Sequence, residues 1–237
     1  MKFKLWRHMK KITNSPEPRE RDAPHSFAGL ALIGIVLYLA IDIALGVLRP
    51  DYSLVKNYES DYGRGPFSWL MDVNFILRGV LSVLAVIAMR CAGIASRSTA
   101  VLMWVWAGAS ALLAFFPDNP AGYPHVATGA IHLILAGIAF VTIAIATVMI
   151  SFARGRLTGG LIPLRVIAVV GVIALVLVGH PFGVPGLVER VFLAAQLCWL
   201  VIALAIVIRR SRIRVLETSG TDATGNRSPM RPDLTAS

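Results

Sequence analysis

In AFFPDNPAGYPHVATGAIHL, residues 114–133, two histidines stand seven positions apart, and His132 falls inside an apolar run. Imidazole titrates near neutral pH, moves protons and binds metals, so its position limits its chemistry. Seven residues are close to two helical turns, which puts His125 and His132 on one face about 10 Å apart in height. Two ligands to one ion would stand at i and i+4. The pair is therefore not a metal site by itself, and no metal or other cofactor is expected. His132 needs partners from other segments.

Those partners are scarce, because few polar residues interrupt the apolar runs. They are Asp42, then Asp72, Asn74 and Arg78, then Asp118, His180, and the pair Glu189-Arg190. A carboxylate and an imidazole held together can do acid–base work, and the candidates for it are His132, Asp72, Asp118 and Glu189. Asp42, Asn74, Arg78, His125, His180 and Arg190, with Ser60 and Tyr62 of a neighbouring loop, are candidates for holding a ligand. Asp72 and Glu189 each open a helix and are the expected partners of His132. Arg78 would lie ~15 Å below its helix end and Asp42 ~9 Å below its own, a difference an arginine can span. Asp42–Arg78 is the expected intramembrane ion pair. No nucleophile elbow surrounds Ser60 or Ser68, and Cys91 and Cys198 have neither metal-ligand nor disulfide spacing.

The elements that must position these groups follow from composition. Hydrophobic residues make up 56% of 237 and mean hydropathy is +0.70, too apolar for a water-soluble domain. Crossing a bilayer takes about 20 apolar residues of helix. Six runs fit: about 27–48, 67–89, 99–116, 126–152, 164–179 and 187–208. Spanning strands would alternate polar and apolar residues, and these runs do not. The expected fold is an all-α six-helix transmembrane bundle over residues 27–210. A basic tail and linker (1–26) precede it, and a disordered tail (211–237) comes after it. The first run is too long and lacks a small-residue cleavage site, so it reads as a retained helix. In KFKLWRHMKKI, Leu5, Trp6, Met9 and Ile12 share one helical face, which suits an interfacial helix or else a disordered basic tail.

The net charge of +10 is distributed by side. Of the 23 Lys and Arg, 18 fall in the two tails and the second–third and fourth–fifth connections. The positive-inside rule puts both termini in the cytoplasm and explains the charge without nucleic acid. The polar candidates then collect at the outer ends of helices. The only long connection, RPDYSLVKNYESDYGRGPFSW, lies on the same side and carries Tyr52, Tyr58, Tyr62 and Trp69. It reads either as an aromatic belt or as a lid over the polar cluster.

SDYGRGPFSWLMDVNFILRG, FFPDNP, TGAIHLILAG and GLVERVFLAAQLCWL together resemble the bacterial integral membrane proteins grouped as domain of unknown function 998. The most specific parts are Ser60-Asp61-Tyr62-Gly63, Phe116-Pro117-Asp118, Gly129 with His132, and Glu189-Arg190. Here Pro117 adjoins Asp118 directly, where the family usually places a threonine or similar residue between them. The resemblance, over about residues 27–210, implies six helices and an unassigned activity. A more distant similarity, to eukaryotic six-helix proteins of the DRAM and GPI-lipid-remodelling type, hints at lipids.

Three functions fit: an inner-membrane protein whose outward polar pocket binds or moves a lipid or small amphiphile; an intramembrane acid–base enzyme acting on a lipid or isoprenoid; or an accessory subunit with a membrane-protein partner. Membrane lipids are the expected partners in all three.

Overall fold

The structure, a computed structural model, describes residues 18–119, 126–153, 161–178, 180 and 183–225, with side chains from Pro24 to Ile213. Among them are six long helices and no strand. They are α1 (Pro18–Leu48), α2 (Ser68–Cys91), α3 (Arg97–Leu112), α4 (Ala127–Phe152), α5 (Leu161–Val178) and α6 (Pro185–Gly225). A 3-10 turn at Leu113–Phe115 prolongs α3, and another at Glu59–Gly63 sits in the α1–α2 loop. The expected helices thus lie where the apolar runs lie. Two ends differ: α1 starts at Pro18, within the segment read as linker, and α6 runs on to Gly225, through the first part of the segment read as tail. No proline interrupts α6 after Pro185.

Five helices are long and apolar enough to cross a membrane; Ile162–Val178 in α5 is shorter but similarly apolar. Exposure confirms the solvent these faces need. Val47 and Ile162 are each 75% exposed and Leu133 71%. An apolar surface of that extent is unstable in water and ordinary in hydrocarbon. The chain is a multi-pass membrane protein.

Small residues let the helices approach. A Cβ at Gly34 of α1 would come within 2.9 Å of Leu81 Cβ on α2, and one at Gly79 within 2.7 Å of Ala111 Cβ on α3. Without a hydrophobic drive between helices in lipid, such close packing is what holds them together. Each helix packs on the next in sequence, and α6 closes the ring against α1 while also touching α2 and α4. Ser96 caps α3, its Oγ accepting from the Thr99 N–H at 3.2 Å. Gly183, at φ +73°, and Pro185 at the first helical position start α6. At the end of the bundle near the tails, Ser151 ties three helices. Trp199 Nε1 donates to Ser151 Oγ at 2.8 Å, and Arg165 Nε donates to Ser151 O at 3.2 Å.

The connections after α1, α3 and α5 meet at the opposite end of the bundle. There the α1–α2 loop docks on the start of α6: the Leu187 N–H donates to Val55 O at 3.1 Å.

Candidate functional site

The loop end holds a buried polar network assembled from α1, α2, α6 and the α1–α2 loop. Its centre is Glu59, 3% exposed. Sequence reasoning did not single it out. The Tyr38 hydroxyl of α1 donates to Glu59 Oε1 in a short bond. Arg78 of α2 faces Glu59 Oε2 at 3.8 Å. The Glu59 main-chain N–H donates to Glu189 Oε2 of α6 at 2.5 Å.

This corrects the expected Asp42–Arg78 pair. The acid in contact with Arg78 comes from the loop, which folds back into the bundle deeply enough to reach it. Asp42 lies beside Glu59 and still feels Arg78 and Arg190. Tyr38 and Asp42 stand one turn apart on α1, so both address the same carboxylate. Tyr38 was the signal available in the sequence: a hydroxyl four residues from an intramembrane acid.

Arg190 fastens the loop. Its Nη1 donates to the carbonyls of Leu54 (3.0 Å), Asn57 (2.7 Å) and Gly186 (3.2 Å). Gly186 permits this: a Cβ there would overlap the Asn57 carbonyl. The Arg190 guanidinium also lies 5.8 Å from the centroid of the Tyr62 ring. Tyr62 is 1% exposed and its ring meets Tyr52 edge-on at 5.6 Å. Burial pushes its hydroxyl above the ordinary tyrosine value, so it stays protonated. The loop is thus more than an aromatic belt. Trp69, at 61% exposure, does suit an interface.

Asp61 organises the loop itself. Its Oδ2 accepts from the Tyr58 N–H at 3.0 Å, and its Oδ1 pairs with Arg64 at 2.5 Å. Arg49, 5% exposed, closes the loop's base by donating to the carbonyls of Arg64 (2.6 Å) and Pro66 (3.0 Å).

His132 is 3% exposed and belongs to a neighbouring arrangement. Its Nδ1 lies 2.7 Å from the Phe116 carbonyl. A carbonyl only accepts, so Nδ1 carries the proton. The ring meets Phe75 of α2 edge-on at 5.9 Å, and the Arg78 guanidinium lies 5.1 Å from that same Phe75 ring. His132 therefore does face the interior and α2, as expected, but it bonds a main-chain carbonyl where Asp72 or Glu189 was expected. Asp118, Arg78 and Arg64 are the charges acting on it.

The α3–α4 connection explains Gly129. Asn119 Oδ1 accepts from the Val126 N–H at 3.1 Å, capping α4, and Asp118 Oδ1 accepts from the Asn119 N–H at 2.7 Å. A Cβ on Gly129 would overlap the Asn119 side chain. Arg64 Nη1 donates to the Asn119 carbonyl, which joins this turn to the first loop.

Other expected members stand apart. Asp72 is partly exposed, with no hydrogen bond or ion pair among the described residues. Two positions from Asn74, it points to the opposite side of α2. His180, just past the end of α5, is exposed, its Nδ1 against Val176 O of that helix at 2.8 Å. Ser60 sits partly buried in the 3-10 turn between the two acids. His125 lies outside the described residues. Among the described residues no group of three His, Cys, Asp or Glu has the geometry to hold a metal ion.

Several buried polar atoms of the network have no hydrogen-bond partner. They are Asp42 Oδ1, Tyr62 Oη, both amide atoms of Asn74, Arg78 Nε, and Arg190 Nε and Nη2. Asn74 is completely buried and one turn above Arg78 on α2. An apolar groove of about 270 Å³ between α5 and α6, lined by Ile173, Leu177, Leu187 and Val191 among others, opens on the other side of α6 from Glu189.

No curated protein and no solved structure gives a significant match, so the hint of lipids from the more distant similarity gains no support from comparison. The family model described as Protein of unknown function (DUF998) matches residues 32–206, the stretch that holds the six helices' apolar parts and every residue of the network, and the chain belongs to that family.

Proposed function

We propose that the loop end of this bundle binds the polar head of a lipid or small amphiphile. The protein sits in a bacterial inner membrane with six spans, both tails cytoplasmic and the site outward. The charge distribution supports the orientation, because the loop end carries few of the basic residues. One observation carries the binding reading: the seven unpartnered buried polar atoms that converge on one network. Burying a polar group without a partner costs about 1–3 kcal/mol each. A set this dense is a site built for something that supplies the missing bonds.

Native mass spectrometry of the protein released from its own membrane tests this. The parent should carry an amphiphile that Asn74→Leu loses while keeping its fold. A bare parent chain, or one carrying only a second protein, would favour the accessory-subunit reading.

A second reading, acid–base chemistry on the same ligand, is favoured by the chain of Tyr38, Glu59 and Glu189 with Asp42 alongside. It would use Glu59 and Glu189 in place of Asp72. It predicts that Glu59→Gln binds the amphiphile and leaves it unconverted.

A further inference from the structure

Resting on the head-group reading and narrowing it, we propose that the bound head is zwitterionic. A primary ammonium is held at Asp42 beside Tyr62, and it is joined to a phosphate or carboxylate that meets Asn74, Arg78 and Arg190.

The unpartnered atoms are of both kinds. Arg78 Nε, Asn74 Nδ2, and Arg190 Nε and Nη2 are donors; Asp42 Oδ1 and Asn74 Oδ1 are acceptors; the Tyr62 hydroxyl is either. An anion with no N–H or O–H of its own would satisfy the donors and leave the Asp42 oxygen buried and bare. A cation alone would leave two guanidinium groups incompletely bonded. A head that joins an anion to a charged N–H donor completes the network.

The atoms come from three helices and the loop. Asp42 and Gly46 stand one turn apart on α1, and the Tyr62 hydroxyl lies 3.6 Å from where a Cβ on Gly46 would be. Asn74 and Arg78 stand one turn apart on α2. Arg190 of α6 lies 5.8 Å from the centroid of the Tyr62 ring. Asn74, Arg78 and Tyr62 are 0%, 4% and 1% exposed, so water does not serve them freely.

The ammonium is one that bears N–H, as a primary ammonium does, because Asp42 Oδ1 needs a donor; a quaternary ammonium has none to give.

The test uses the full chain in detergent and three lipids with identical acyl chains. Phosphatidylethanolamine has the proposed head, phosphatidylcholine lacks the N–H, and phosphatidylglycerol lacks the cation. Phosphatidylethanolamine should bind about 10-fold or more tightly than either, the value of one charge-assisted hydrogen bond. Asp42→Asn should erase that preference by bringing phosphatidylethanolamine down to the level of phosphatidylcholine. If Asp42→Asn fails to fold, the comparison of ethanolamine with choline in the parent decides. Free phosphoethanolamine displaces the lipid if the head alone suffices and fails to if the acyl chains are required; either accords with the zwitterionic site. Equal binding of phosphatidylglycerol and phosphatidylethanolamine, both lost in Asn74→Leu, would overturn the zwitterion and leave the head-group site standing. Binding of none of the four would overturn both.

Discussion

The main-chain N–H of Glu59 donates to the Glu189 carboxylate at 2.5 Å, across 130 residues of sequence. That bond, with the three carbonyls held by Arg190, is what turns a surface loop into part of the bundle interior. Glu189→Ala removes the acceptor and leaves a buried N–H bare, at about 1–3 kcal/mol. Glu189→Gln keeps a carbonyl oxygen and should recover most of the loss. Thermal unfolding in detergent measures both. Identical losses for the two variants would mean that the bond does not hold the loop.

The partner of Arg78 is the second point of test. Arg78→Ala should lower the yield of folded protein sharply, since breaking a buried pair typically costs about 3–5 kcal/mol. Combining Glu59→Gln with Arg78→Gln should restore more of that yield than combining Asp42→Asn with Arg78→Gln. The reverse order would return the pair to Asp42, where the sequence had placed it.

The reason the sequence pointed to Asp42 is physical. An acid inside an apolar run stands out, and Asp42, Arg78, Glu189 and Arg190 were all legible that way, as were the six helices themselves. Glu59 sits in a polar loop of about 18 residues, where an acid is unremarkable. Only the docking of that loop on α6 gives it a role. His132 was legible as an interior residue from its depth. Its acceptor was not, because every residue carries a carbonyl and the sequence marks none of them. Gly129 and His132 both stood out in the family-like segment, yet the side chain that requires Gly129, Asn119, lies across a turn.

That turn gives a third prediction. Gly129→Ala should destabilise by about 1–3 kcal/mol, because the new methyl overlaps the Asn119 amide that caps α4. Asn119→Ala has its own cost through the lost cap. The double variant should lose less than the sum of the two, with a coupling on the usual scale of about 0.5–3 kcal/mol for contacting residues. Strict additivity would separate the two positions.

Orientation is open to cysteine labelling. Cys91 and Cys198 are exposed, so both are first replaced by alanine. A cysteine at Lys56 should then react with an impermeant reagent on intact cells, and one at Gly220 only after lysis. Labelling at 220 from outside would invert the molecule and put the site on the cytoplasmic face.

The most direct measurement is the unfolding temperature of the parent and Asn74→Leu, each with and without lipid extracted from the native membrane. In lipid-free detergent Asn74→Leu should equal or exceed the parent, because it removes a buried amide that bonds nothing else in the protein. Added lipid should stabilise the parent, by about 2.7 kcal/mol at a hundredfold excess over Kd, and leave the variant unmoved. A variant that is less stable without lipid, or that gains as much from lipid as the parent does, would contradict a head-group site at this end of the bundle.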